Sequence, residues 1–323
     1  MREVDTESLK RVVRYLRDGA FRTLREKTLF GVEVPPDEAS GRHAPCWVHK
    51  AHGEGLKPVV FEIHGGGFAL GDARKEDALC EWVRDVFDVH VVGVNYRLTP
   101  EYPAPAALDD VLSTMAYVGR GGVCTADPTK FYLLGYSAGA NLALAAALAA
   151  QTRSDFNVAG LVLHYPFLDA FTPPDPAKGR AIDLPYEMMV AFNDWYTAGA
   201  DARDPFISPA FAHDVQLAAL PLVTMYPVVD DPLKEQADAL YERMKRVGCD
   251  VLYRPVEGVY HGYIEDAADI EMYRATSMSQ TVAIRPDSFA QVAGQKMKES
   301  LEDVLGPVKR DLPFPGIESE GML

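Results

Sequence analysis

Short apolar runs recur along the chain at 59–63, 89–94, 131–135, 158–163, 222–226 and 250–254, and each reads as a buried strand. The segments between them carry helical spacing. Leu79, Trp82, Val83, Val86 and Phe87 form an i, i+3, i+4, i+7, i+8 stripe, Asn141 to Ala150 is almost all Ala and Leu, and Lys234 to Val247 has Ala237, Leu240, Tyr241 and Met244 on one side. Strand and helix in alternation predict an α/β chain with a doubly wound, mostly parallel sheet. Two segments break that rhythm. Residues 5–30 form a separate amphipathic piece with Leu9, Val12, Val13, Leu16 and Phe21; residues 171–206 open with Pro173-Pro174-Asp175-Pro176 and become helical from Tyr186 to Tyr196.

After the last strand comes an additional stretch, Asp266 to Pro286, then an amphipathic segment with Phe289, Val292, Met297, Leu301 and Val304 at helical spacing. The polar, proline-bearing tail 306–323 is expected to be mobile. At 323 residues and 48% hydrophobic content, the chain can bury one full core, and no linker or repeat divides it, so a single domain 1–323 is expected.

The formal net charge of −15 argues against nucleic acid or an anionic membrane as partner. Cys46, Cys80, Cys124 and Cys249 stand too far apart for paired-cysteine chemistry and are expected as free thiols. No clustered Cys/His set calls for a metal, and no cofactor is implied. The N-terminus is charged and lacks an apolar core, and the Ala-rich run after Asn141 is too short to span a bilayer. A cytoplasmic protein without membrane insertion is expected; a homo-oligomer is compatible with this reading.

Two glycine-framed motifs carry the chemistry. Gly135-Tyr136-Ser137-Ala138-Gly139 follows the apolar run Phe131 to Leu134 and precedes the Ala/Leu helix, so a serine stands at a sharp strand-to-helix bend. His64-Gly65-Gly66-Gly67-Phe68 follows Val59 to Ile63, and its glycines leave backbone N–H groups open for an oxyanion hole. A serine nucleophile needs a histidine base and an orienting carboxylate, which in this strand–turn–helix arrangement follow in the order Ser, acid, His.

Three histidines lie beyond Ser137. His164 ends an apolar strand and reads as structural, and His213 sits in a polar loop and reads as surface. His261 lies in the glycine-bracketed loop Gly258-Val259-Tyr260-His261-Gly262 beyond a strand's carboxyl end, where catalytic groups gather in open α/β sheets. It is the expected base. The acid belongs on the loop after Leu222 to Tyr226, where Asp230 and Asp231 are both candidates on chemistry alone.

Together these residues resemble the hormone-sensitive-lipase-like carboxylesterases of the α/β-hydrolase superfamily, bacterial type. That family carries a His-Gly-Gly-Gly segment, a Gly-Asp-Ser-Ala-Gly elbow, an Asp-Pro-Leu acid loop and a His-Gly-Phe loop. Here these stand as His64 to Gly67, Gly135 to Gly139, Asp231-Pro232-Leu233 and His261-Gly262-Tyr263, and Asn95 to Asp110 is similar to the family's Asp-Tyr-Arg-Leu-Ala-Pro-Glu segment. The resemblance implies an α/β-hydrolase fold with nucleophile Ser137, base His261, acid Asp231, and oxyanion donors Gly66, Gly67 and Ala138. It departs at Tyr136, where the family has Asp.

The resemblance also implies a helical cap, formed here by 1–35 and 171–206, and a small-molecule substrate: a small to medium uncharged carboxylic ester. Met188, Met189, Phe192 and Trp195 in the second cap segment are the expected substrate-binding residues. An amidase or deacetylase using the same triad, a thioesterase, and a noncatalytic small-molecule receptor of the same fold are the competing functions.

Overall fold

The computed structural model describes residues 5–25, 29–37, 41–177, 184–268, 286–315 and 317. Among these, eight strands form one sheet: β1 (Val32–Val34), β2 (Cys46–His49), β3 (Lys57–Ile63), β4 (His90–Val94), β5 (Ala126–Tyr136), β6 (Val158–His164), β7 (Leu222–Tyr226) and β8 (Val251–Tyr253). They lie in the order β1-β2-β4-β3-β5-β6-β7-β8. From β4 to β8 every pairing is parallel, and β2 and β1 add antiparallel at one edge. The six strands read from sequence are all present. β1 and β2 went unread because they stand outside the strand–helix alternation. β1 also removes residues 32–34 from the expected cap, since they pair with β2 in the main sheet.

Side chains alternate along each strand into two buried layers. Val59, Phe61 and Ile63 of β3 and Leu133 of β5 face one layer, with α3 (Ala106–Gly119), α4 (Ala138–Ala150) and α7 (Lys234–Arg246) packed on it. Val60 and Leu134 face the other, covered by α2 (Asp77–Phe87), α8 (Tyr263–Ala268) and α9 (Pro286–Leu305). The α2 stripe is buried as its spacing predicts. In α4 small Ala and Leu side chains let the helix press on the sheet, and nearly every residue of it is buried.

The register sets the carboxyl ends of the central strands in a row. Ile63 pairs with Gly135, Gly135 with Leu163, and Leu163 with Met225, so the residues that follow each strand emerge along one edge. Above that edge sit α1 (Thr6–Arg25) and α5 (Tyr186–Tyr196), which share a small apolar cluster of Val13, Ala69, Ala191, Phe192 and Trp195. Arg17 ties α1 to the body: its guanidinium donates to the carbonyls of Ala69, at 2.7 Å, and Thr99, and pairs with Glu101 at 2.9 Å. A short helix, α6 (Asp214–Ala218), precedes β7.

The tail corrects its expectation. Lys309 and Arg310 N–H groups donate to Val86 O at 2.7 and 3.1 Å, Trp82 Nε1 donates to Leu312 O at 3.2 Å, and Phe314 is buried with its ring edge-on to Trp82. A proline-bearing segment without regular structure is thus fixed as far as 315 by one aromatic anchor and backbone bonds to α2. Of the stretch Asp266 to Pro286, residues 269–285 lie outside the described residues.

Candidate active site

Ser137 is the residue between β5 and α4, with φ 51° and ψ −114°, a backbone conformation that a side-chain-bearing residue adopts only when its surroundings enforce it. Enforcement is visible on both sides. Ser137 N–H donates to His164 O at 3.1 Å, and a Cβ at Gly139 would run into the carbonyl of Ile63 while one at Gly135 would run into that of Gly139. The elbow therefore needs both glycines so that strand, turn and helix can close on one another.

Ser137 Oγ lies 2.8 Å from His261 Nε2, and His261 Nδ1 lies 2.6 Å from Asp231 Oδ2. Asp231 Oδ1 accepts from Leu233 N–H at 2.8 Å, so both carboxylate oxygens are engaged and the side chain is only 1% exposed. Asp230, one residue back, is exposed. With Asp231 accepting at Nδ1–H, Nε2 is the ring nitrogen that faces the serine hydroxyl.

The glycine loop after β3 is fastened at several points. Tyr96 OH donates to His64 O at 3.0 Å, Thr99 N–H to Phe68 O at 2.8 Å, and Leu70 N–H to Gly66 O at 2.8 Å. Burial lowers the His64 pKa to about 4, so its ring is neutral; Nδ1–H donates to Gly65 O at 2.8 Å while the ring stacks on Tyr96. Among the described residues, none accepts a hydrogen bond from Gly66 or Gly67 N–H. Ala138 opens α4, where a helix leaves its N–H without an internal acceptor. All three residues line the same cavity as Ser137 and His261.

The family described as alpha/beta hydrolase fold matches residues 60–265 of this sequence. The chain belongs to the α/β-hydrolase family. Esterase LipI of Mycobacterium tuberculosis is 29% identical over 231 residues, covering 71% of this chain and 72% of its own length. Carboxylesterase NlhH of the same species is 30% identical over 218 residues, 65% of this chain and 67% of its own. A hyperthermophilic esterase from the archaeon Pyrobaculum calidifontis superposes with a TM-score of 0.69 at 24% identity, covering 90% of this chain and 92% of that one, which speaks to the fold. The resemblance drawn from the motifs is thereby borne out.

The hydrolase's cavity measures about 430 Å³, within the range of small-molecule sites. Met188, Met189 and Phe192 of α5 line it. Trp195 does not. Three residues further round the helix, it points away from the cavity into the cluster with Val13 and Ala69, so it joins α5 to α1. Val12 and Leu16 of α1 are 46% and 45% exposed because the apolar stripe read there overhangs the open cavity. No group of residues able to hold a metal occurs among those described, and no described helix is long and apolar enough to cross a membrane. His164 is fully buried, its Nε2 paired with Ser300 Oγ at 3.1 Å, and burial lowers its pKa to about 3.

Sequence reasoning passed over two residues beside His261. Tyr165, directly after β6, has φ 35° and sets its ring edge-on to His261 with centroids 5.0 Å apart. Its hydroxyl donates to Glu265 of α8 at 2.9 Å. The available signals were position alone: one residue past a strand's carboxyl end, and one helical turn past the histidine.

Proposed function

We propose that this α/β-hydrolase is a serine carboxylesterase that cleaves small to medium uncharged carboxylic esters through an acyl-enzyme. The observation that carries the reading is the continuous path from Ser137 Oγ through His261 to Asp231, at 2.8 and 2.6 Å, opening on a largely apolar cavity. Relatives named esterase and carboxylesterase support the ester as the bond.

In the proposed reaction Ser137 Oγ adds to the ester carbonyl carbon as its proton passes to His261 Nε2. Asp231 holds the imidazole orientation and balances the imidazolium, and the N–H groups of Gly66, Gly67 and Ala138 receive the oxyanion. His261 then gives its proton to the departing alcohol, and water repeats the sequence on the acyl-enzyme. We assign acyl preference to a cap made by α1, α5 and their flanking residues, with Met188, Met189 and Phe192 as contacts. An uncharged acyl group suits a wall of Leu, Met and Phe side chains, where a charge would lose its hydration without a partner.

The test is a panel of 4-nitrophenyl esters of increasing acyl length with purified protein. Turnover is expected for short and medium chains, and Ser137→Ala is expected to lower kcat by about 10³-fold or more with an unchanged melting temperature. Near-full activity in Ser137→Ala, or no turnover of any ester, overturns the reading.

A further inference from the structure

We propose that Glu265 is a positioning residue that locks the glycine loop of the oxyanion hole to the segment carrying the base. The proposal rests on the esterase reading above and adds a residue to it. One carboxylate oxygen of Glu265 accepts from Gly65 N–H at 3.0 Å, and the other accepts from Tyr165 OH at 2.9 Å. The first contact joins residues 200 apart in sequence. A Cβ on Gly65 would fall 2.5 Å from Glu265 Oε1, so the carboxylate sits against bare backbone.

The geometry gives the contact a purpose. Gly65 begins a run of three glycines, the sequence with the most backbone freedom to lose. Its N–H turns inward to Glu265, while those of Gly66 and Gly67 are left without acceptors among the described residues. Fixing the first peptide plane limits where the next two can point, and a donor stabilises a developing oxyanion only if it is aimed beforehand. Tyr165, gripped by the other oxygen, rests edge-on against the His261 ring. Glu265 itself lies four residues after His261, on the short helix α8. Base and oxyanion donors are thereby referred to one carboxylate.

The elbow supplies no alternative. Residue 136, where the resembled motif has Asp, is a buried tyrosine whose hydroxyl finds no hydrogen-bond partner among the described residues. Burial pushes the Glu265 carboxyl above the usual carboxylate range, against the bonds from Tyr165 and Gly65 and the charges of Lys75 and His261. A role in hydrogen-bond geometry is met by either protonation state, since each keeps an oxygen to accept from Gly65. That makes glutamine the informative replacement.

The experiment compares Glu265→Ala, Glu265→Leu and Glu265→Gln with wild type in ester hydrolysis. It also measures affinity for a trifluoromethyl ketone, to whose carbonyl carbon Ser137 Oγ adds as its proton passes to His261. Glu265→Ala is expected to lower kcat by about 10- to 100-fold, less than outright loss of an oxyanion donor, with KM little changed. Affinity for the ketone should weaken by the same factor as kcat/KM. Glu265→Gln should recover most of the activity. Glu265→Leu, which fills the space without an acceptor, serves if the alanine variant melts early. Wild-type kcat in a folded Glu265→Leu overturns the proposal, as does a Glu265→Gln variant as impaired as Glu265→Ala. Ser137→Ala run alongside keeps the two claims apart: an active Ser137→Ala removes the esterase reading, whereas an inactive one beside an unimpaired Glu265→Leu removes only the role of Glu265.

Discussion

Asp230 and Asp231 are chemically identical neighbours that meet different surroundings. Asp231 is buried beside His261 with both oxygens engaged, whereas Asp230 faces solvent. Asp231→Asn should therefore lower kcat by up to about 10⁴-fold by leaving the imidazole in the wrong tautomer, while Asp230→Asn should stay close to wild type. Steady-state kinetics with thermal melts on both variants decide it; a loss confined to Asp230→Asn would contradict the geometry. Glu62, on β3, poses a different question. It is fully buried, neither carboxylate oxygen finds a hydrogen-bond partner among the described residues, and burial, then Glu76 and Glu265, raise its pKa well above the usual range. A group whose folded pKa is raised contributes its full stability below its unfolded value of about 4.3 and loses it as pH climbs through the folded one. Glu62→Gln carries no charge at any pH, so its melting temperature should gain on wild type as pH rises from 4 to 9. A difference that is flat across that range would show that folding does not raise the Glu62 pKa.

At the scale of elements, the sequence was most legible where local pattern and tertiary role coincide. The strand–glycine–helix grammar around Ser137 and around His64 could be read because close packing leaves no room for side chains at Gly135 and Gly139, and the α2 stripe could be read because one whole face of that helix is buried. Legibility failed where the partner is distant. Glu62 looks like the outward residue of an alternating strand, yet helices cover both faces of this sheet. Glu265 acquires its role only from Gly65 and Tyr165. Trp195 and Phe192 looked equivalent as large apolar residues of one helix, and three residues of helical rotation separate cavity wall from packing joint. The two should consequently behave differently. Phe192→Ala should enlarge the cavity and raise relative rates for longer acyl chains, because the ring lines it and also lies against Gly67 of the glycine loop. Trp195→Ala should instead loosen α5 from α1, at a cost of the order of 3–5 kcal/mol for a buried large aromatic, with a smaller change in chain-length rank. The ester panel and melting curves of the two variants separate wall from joint; identical shifts in rank order would erase the distinction.

Across the whole molecule, the far end of the chain closes the layer opposite α4. Phe314 fills the space between Trp82 of α2 and Gly294 of α9, and the N–H groups of Lys309 and Arg310 hold Val86 O. Phe314→Ala is expected to destabilise by about 3–5 kcal/mol, read as a lower melting temperature, with kcat unaltered at temperatures where the variant is folded. The placement of α1 has a consequence of another kind, in the order of synthesis. The helix that overhangs the cavity leaves the ribosome roughly 160 residues before α5, so at about 5–20 residues per second it waits some ten to thirty seconds for its partner. Alone, a twenty-residue helix is marginal in water, and until α5 arrives Val13 lacks Ala191, Phe192 and Trp195, the α5 side chains of its cluster. The nascent chain thus carries this face of α1 incompletely packed while about half of the 323 residues are made.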